Sequence, residues 1–246
     1  LRFTMSQPHP LSTPLSDTVR AQLEAVSTAT LATQLFKRGF RTRFMTGVAP
    51  LHPHRKLVGV ARTLRCVPMR EDLDHLGVFK DPEMPQRKAV EMIGPGDVLV
   101  IDARGERGAG TIGNILATRV MKRGGAGIVS DGPFRDLEGI RALNFPCYCA
   151  GPHANTNLTV HHPVDVDVPI GCGGVLVFPG DVLVGDGDGV IVIPRHLAEE
   201  VAADAAEQER AEEFVLQKIE AGSSIVGVYP MNEETAAEYR AWLESR

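Results

Sequence analysis

Apolar residues along this chain come in two rhythms, and their alternation sets out the elements before any other property is considered. Around residues 98–102, 127–130, 145–149 and 182–193 they run together in short Val/Ile/Leu-rich blocks bounded by glycine, proline or aspartate, the pattern of buried strands. Elsewhere they recur three and four apart, which predicts helices. Ser16 can cap one over 16–25, and a second spans 28–37 with Gly39 just beyond as a left-handed stop. Residues 45–67 read as extended. The stretch 68–85 is charged, proline-bearing and without period, which predicts a long surface loop of the kind that often carries function. Residues 86–93 make a helical turn or two before Gly94-Pro95-Gly96-Asp97 turns into a strand.

Helices follow over 114–123, closed by Gly124-Gly125, and over 135–143, with strands at 127–130 and 145–149 between and after them. That order argues for parallel βαβ units in a sheet covered on both sides. Short strands are expected near 158–160, 164–170 and 173–178, then a hairpin over 182–194. A long helix over 197–220 is ended by Gly222. A last one over 233–245 offers Tyr239 and Trp242, three apart, for docking. The hexapeptide Pro-Gly-Asp-Val-Leu-Val occurs at 95–100 and again at 179–184, so either a turn–strand unit is duplicated or a good turn and a good strand have converged.

Composition narrows the class. At 246 residues, 43% apolar and only 23% charged, the chain can build its own core without disulfides or metal staples, and disordered and coiled-coil readings fall away. With 25 Gly and 17 Pro, helix bundles are disfavoured. A net charge of −5 and no Lys/Arg block longer than two residues leave no electrostatic footprint for nucleic acid. Cys66, Cys147, Cys149 and Cys172 contain no C-x-x-C, which argues against a structural zinc site and a disulfide framework and for a reducing, cytoplasmic compartment. No apolar run is long enough for a membrane span, and the first twelve residues lack the apolar core of a signal peptide. Leu1 to Thr4, ahead of Met5, are given no role in the fold.

Candidate chemistry collects in the middle of the chain. Gly108-Ala109-Gly110-Thr111-Ile112-Gly113 matches G-x-G-x-x-G, and Asp131 follows 18 residues later, as in a dinucleotide fingerprint. However, five residues, 103–107, separate the strand from the first glycine, where that fingerprint wants the turn at the strand end. What survives is the physics of a glycine loop feeding a helix: free N–H groups at Gly113, Asn114, Ile115 and Leu116 form an anion site, for a carboxylate as well as for a phosphate. One βα unit later, Arg135-Asp136 places a cation and a hard oxygen ligand at the same sheet edge. His153, His161 and His162 have no ligand spacing and read as surface or loop residues.

The run from Gly113-Asn114-Ile115-Leu116 through Arg123-Gly124-Gly125-Ala126-Gly127 and Ser130-Asp131-Gly132 to Arg135-Asp136, with Asp186-Gly187-Asp188-Gly189-Val190 later, resembles the RraA-like family. That family contains class II 4-hydroxy-4-methyl-2-oxoglutarate/4-carboxy-4-hydroxy-2-oxoadipate aldolases and the regulator of ribonuclease E. The resemblance spans about 27–222. It implies an α/β fold, a swivelling αββα sandwich with βαβ units and a β-rich second half. It divides the chain into a flexible extension (1–15), the α/β domain (16–222) and a C-terminal extension with a docking helix (223–246).

The resemblance also implies a function: metal-dependent cleavage of a 2-oxo acid with pyruvate as product. Arg135 would hold substrate oxygen, Asp136 would bind Mg²⁺ or Mn²⁺, and the amides of Gly113, Asn114, Ile115 and Leu116 would grip the pyruvyl carboxylate. The family pattern is an acidic residue, twenty residues, then Arg-Asp. Here Asn114 keeps the spacing but replaces the carboxylate with an amide, which can orient a water and cannot take its proton. Glu212 or Glu213 of a neighbouring subunit is the candidate acid near the metal waters, in a homotrimer or homohexamer. No lysine lies in the motif to form a Schiff base. A non-catalytic regulator of ribonuclease E-type machinery is the alternative, and a methyltransferase a distant third.

Overall fold

The computed structural model describes residues 14–245. Two helices open it, α1 (Asp17–Ala25) and α2 (Thr28–Lys37), each capped by the serine before it, Ser16 and Ser27. There follow β1 (Ala49–Pro50), β2 (Leu57–Pro68), a 3₁₀ helix (Leu76–Lys80), α3 (Pro85–Met92), β3 (Asp97–Asp102), α4 (Asn114–Lys122), β4 (Gly127–Ser130), α5 (Leu137–Ala142) and β5 (Cys147–Cys149). The second half is strand-rich: β6 (His161–Val166), β7 (Ile170–Cys172), β8 (Val175–Val177), β9 (Val182–Gly185) and β10 (Val190–Ile193). It closes with α6 (Ala198–Glu220) and α7 (Glu233–Glu244).

One strand organises the sheet. At twelve residues β2 takes three partners: β3 parallel along 60–65, β9 antiparallel against its first half, and β6 antiparallel against its second. The order is β1-β5-β4-β3-β2-β9-β10, with β6 joined to β2. β2 to β5 are parallel, linked through α3, α4 and α5 as the βαβ pattern predicts, and β1, β6, β9 and β10 run antiparallel to their neighbours. The result is a curled, mixed α/β sheet.

Period-two alternation on β2 sorts the core. Val58 and Val60 join Leu23, Leu31, Val184 and Val201 beneath α1, α2 and α6. Leu64 and Cys66, on the same face, pack with Leu99, Ile101 and Val120 beneath α3, α4 and α5. Leu57 and Ala61 point the other way and meet Val100, Leu183 and Val192, where the β7–β8 hairpin and Met45 close the second face. Both faces are covered, one by helices and the other by a small sheet.

The repeated hexapeptide builds the same turn twice. Gly96 and Gly180 both have positive φ, and Asp97 and Asp181 each accept a hydrogen bond from the N–H three residues earlier, Gly94 at 2.8 Å and Phe178 at 2.9 Å. The strands that follow differ: β3 is parallel to β2, whereas β9 is antiparallel and pairs with β10. The local turn recurs and the topology does not.

Several expectations are corrected. The strand expected near 158–160 is a 3₁₀ turn, Asn157–Thr159. The extended run at 164–170 breaks at Asp167 (φ 54°), whose carboxylate folds back to Arg62 at 2.6 Å. The helix expected from 135 starts at Leu137, because Asp136 is left-handed (φ 55°, ψ 42°). His161, read as a surface or loop residue, is fully buried at the start of β6. Of the extension expected over 1–15, residues 1–13 lie outside the described residues, and Leu15 is buried in the core under α1. In the tail, Tyr239 and Trp242 pack at tilted angles against Phe214 of α6. No helix among the described residues is long and apolar enough to cross a membrane.

Candidate active site

Parallel strands deliver their following loops to one edge, and β3, β4 and β5 all end beside one another. The glycine loop after β3 and the Arg135-Asp136 segment after β4 are therefore neighbours, and a short ladder straps them together. Thr111 N donates to Pro133 O at 2.8 Å, Arg135 N donates to Ile112 O at 3.0 Å, and Thr111 Oγ1 also reaches Pro133 O at 3.0 Å. Glycines 110 and 113 permit the approach. A Cβ at Gly110 would lie 2.7 Å from Arg135 N, and one at Gly113 would lie 2.7 Å from Asp136 Oδ2. The glycines read as a dinucleotide fingerprint thus serve the contact between this loop and the Arg-Asp pair.

Asp131, the residue that fingerprint would aim at a ribose, is a clamp in this fold. Its carboxylate accepts from the N–H groups of Ala103 (2.7 Å), Gly105 (3.1 Å) and Gly173 (3.3 Å). Burial pushes its carboxyl above the usual aspartate range, and those three donors oppose the shift.

The anion loop is open to a ligand: α4 starts at Asn114, Gly113 is its N-cap, and no side chain of the described residues caps it, which leaves first-turn N–H groups without an intrahelical partner. A cleft of about 250 Å³ lies against it, lined by Gly113 and Leu116 on one side and by Arg135 and Asp136 on another. The Arg135 guanidinium has its Nε buried without a hydrogen-bond partner among the described residues, and the Asp136 carboxylate lies 3.8 Å from that atom. Asp136 itself is about half exposed, 48% for the side chain. Ile115 stands at the mouth, 78% exposed.

Other residues named from the sequence lie elsewhere. Asn114 begins α4, but its side chain turns toward α5, where a Cβ on Gly139 would meet its Nδ2 at 2.8 Å, and it is not part of the cleft wall. Glu212 and Glu213 sit on α6, against the α1–α2 side, and neither lines the cleft of its own chain. Glu212 accepts from Gln208 Nε2 at 2.8 Å. His162 pairs with Asp74 at 2.9 Å, and His153 Nδ1 accepts from Asn155 N at 3.1 Å.

The cleft also has a wall that sequence reading did not assign to the site. Gln86 and Arg87, at the start of α3, and Phe79, on the 3₁₀ helix inside the long loop, line it, together with Thr156 and Asn157. Gln86 is buried and its Nε2 donates to Thr111 O at 2.7 Å, which locks α3 to the glycine loop. A polar pair, Gln86-Arg87, directly behind a helix-starting Pro85 was the available signal, but nothing local says that α3 crosses this edge.

With that geometry in view, comparison with known proteins settles the ancestry. The RraA-like family profile, described as Aldolase/RraA, matches residues 28–192. The chain belongs to the RraA-like family. A Halalkalibacterium halodurans protein with the provisional name 4-hydroxy-4-methyl-2-oxoglutarate aldolase is 35% identical over 175 residues, 70% of this chain and 76% of that protein. A Thermus thermophilus protein named 4-hydroxy-4-methyl-2-oxoglutarate aldolase is 34% identical over 121 residues, covering 48% of this chain and 71% of its own. Among solved structures, a Streptomyces coelicolor protein described as an unusual member of the RNase ES inhibitor RraA family superposes with a TM-score of 0.76 at 36% identity, over 84% of this chain and all of that one. RraA-like relatives thus carry names of both kinds, aldolase and ribonuclease inhibitor.

Proposed function

We propose that this chain is a divalent-metal-dependent carbon–carbon lyase. It cleaves a 4-hydroxy-2-oxo acid, or decarboxylates a 2-oxo diacid, to give pyruvate. The observation that carries this reading is the meeting of an uncapped α4 N-terminus with Arg135 and Asp136 in one cleft: donors for a carboxylate, a fixed cation and a hard oxygen ligand. The aldolase-named relatives support it.

The donor set bears on the metal. Asp136 is an accessible carboxylate, and among the described residues no three His, Cys, Asp or Glu side chains are grouped to hold an ion. This fits Mg²⁺ or Mn²⁺ held by one carboxylate together with water and substrate, and it does not fit an all-protein cage. When bound, such an ion supplies Lewis-acid polarisation of the substrate's carboxylate and 2-oxo oxygens.

The chain's own groups do the rest. The amides of Gly113, Asn114, Ile115 and Leu116 take the substrate carboxylate, and Arg135 stabilises the negative charge that develops on the 2-oxo oxygen as the C3–C4 bond breaks. For an aldol substrate the 4-hydroxyl proton must leave, the C3–C4 electron pair flows toward the 2-oxo group, and C3 is then protonated to yield pyruvate. Asn114 cannot accept that proton, so the acceptor is assigned to Glu212 or Glu213 from a neighbouring subunit of a homotrimer or homohexamer.

The test is pyruvate release, coupled to lactate dehydrogenase, over a panel of 4-hydroxy-2-oxo acids and oxaloacetate. Turnover is expected with Mg²⁺ or Mn²⁺, loss with EDTA and recovery on readdition. Undiminished turnover in chelator overturns the metal requirement. A second reading has its own support in the Streptomyces coelicolor neighbour and in the amide at position 114: a non-catalytic regulator that binds ribonuclease E-type machinery. No turnover across the panel, with tight binding to such a ribonuclease, favours that reading.

A further inference from the structure

Thr111 uses every polar group it has to join segments that meet at the cleft. Its N–H donates to Pro133 O at 2.8 Å, and its carbonyl accepts from Gln86 Nε2 at 2.7 Å. Its hydroxyl lies 3.0 Å from Pro133 O and 3.1 Å from Ser130 Oγ, and that oxygen in turn accepts from Gly132 N at 3.1 Å. Gln86, Thr111 and Ser130 are each at most 4% exposed, so bulk water does not compete for these bonds. Each hydroxyl carries one proton, and a carbonyl can only accept. One arrangement uses both protons: Ser130 donates to Thr111, and Thr111 donates to Pro133 O. The chain from Gly132 N–H through Ser130 and Thr111 to Pro133 O then runs in one direction, with no proton left over.

This chain links the two halves of the cleft. Thr111 lies two residues before Gly113, the N-cap of α4, and Pro133 lies two before Arg135. Two backbone bonds, Thr111 N to Pro133 O and Arg135 N to Ile112 O, already join these segments, but a two-rung ladder can still hinge. The hydroxyl contact adds a third anchor, on β4, and removes that freedom. We infer that Thr111 is a positioning residue: through Ser130 and Pro133 its hydroxyl sets the spacing between the amides at the start of α4 and Arg135. A substrate held by its carboxylate at one and by its 2-oxo oxygen at the other depends on that spacing, since a misplacement of ~1 Å can cost ~100-fold in rate. The Thr111 methyl does something else. It packs on Gly132, where a Cβ would lie 2.8 Å from it. Hydroxyl and methyl are therefore separable by substitution. This inference rests on the lyase reading and adds the group that holds the two halves of that site in register.

The experiment compares Thr111→Val, a near-isostere without the hydroxyl, Thr111→Ser, which keeps it, and Ser130→Ala, all in the full chain with Mg²⁺. The readouts are pyruvate release from the fastest substrate of the panel, melting temperature, and calorimetric binding of oxalate, a planar dianion shaped like the enolate of pyruvate. Thr111→Val is expected to lower kcat and oxalate affinity by ~10-fold or more while KM moves by less than ~3-fold. Thr111→Ser is expected to restore both. Ser130→Ala falls between, and the double variant is no worse than Thr111→Val, because both substitutions cut one chain. If Thr111→Val melts earlier but keeps natural kcat per folded molecule and natural oxalate affinity, the hydroxyl is merely structural and the inference is overturned. A Thr111→Ser protein as impaired as Thr111→Val also overturns it. If Thr111→Val does not fold, Ser130→Ala decides: natural kcat and oxalate affinity overturn the inference, and a loss of both at unchanged KM sustains it. The lyase reading stands in all these cases. Oxalate binding without turnover by the natural protein overturns the lyase reading alone, and the oxalate arm still decides the role of Thr111. Neither turnover nor oxalate binding overturns both.

Discussion

On the flank formed by α1, α2 and α6 the polar groups are matched to one another. Ser16 and Ser27 cap their helices, Asp186 accepts from both the N–H and the hydroxyl of Thr28 at 2.7 Å, and Arg38 is shared by Glu200 and Asp204. Across the same face of the sheet, among the described residues, α4 starts without a side-chain cap, and Arg87 and Arg135 each bury an Nε that makes no hydrogen bond. Unmatched buried donors cost stability, on the order of 1–3 kcal/mol each. Two such atoms among the described residues share this one small cleft, where the proposed substrate would complete them. The Asp186-Gly187-Asp188-Gly189 signature belongs to the matched flank. Burial raises the Asp186 carboxyl, and the Thr28 donors, the Asp188 N–H and the Lys56 cation together outweigh that and hold it below the usual aspartate range.

Substitutions on the two sides are expected to fail in different ways. Arg135→Lys removes the planar fork and keeps the charge. The expected result is a loss of ~100-fold or more in kcat/KM for pyruvate release, with the melting temperature unchanged. A variant that melts early and turns over normally would place Arg135 with the structural arginines and break the comparison. Leu23→Ala, at a fully buried position under α1, should do the reverse: a loss of about 3 kcal/mol in urea unfolding, with kcat per folded molecule retained.

The smallest effect is one of pH. His161 is fully buried beside Arg104, and its Nε2 has no hydrogen-bond partner among the described residues. Burial, together with the Arg104 cation, pushes it down to about 4. Unfolded, it titrates near ~6.5, so between these values the unfolded chain binds the proton and the folded chain does not. Stability is therefore full above the unfolded value and falls as pH drops toward 4, by about 2 kcal/mol from pH 7 to pH 5. Urea unfolding at the two pH values measures the slope, and His161→Gln should flatten it. A slope unchanged in that variant removes His161 as its source.

Much of the core of this arrangement was legible. Short apolar runs and the capping residues Ser16 and Ser27 located α1, α2, β3 and β4, because buried strands and capped helix starts are written in a few adjacent residues. The proximity of the glycine loop to Arg135-Asp136 followed as well, since consecutive βα units put their loops on one edge. The start of α5 was misplaced because Asp136 is left-handed where it meets Gly113, twenty-three residues away, and no propensity scale contains that contact. His161 was misread for a like reason: its burial comes from β2 and Arg104, neither adjacent in sequence.

By itself, then, the sequence determined what depends on neighbours a few residues apart: the elements, their caps, the repeated Pro-Gly-Asp turn and the order of the βα units. Only the tertiary structure decided which strands pair. It gave β2 three partners, set two identical hexapeptides in opposite directions beside it, and folded β7 and β8 over the face without helices. It also decided who faces the cleft, turning Asn114 toward Gly139 and bringing Phe79 and Arg87 in through the bond from Gln86 to Thr111. Those outcomes rest on contacts between residues twenty-five or more apart in several cases, as in that bond. Such contacts form only once the chain has collapsed around its apolar core, so their energy is absent from every local window of the sequence.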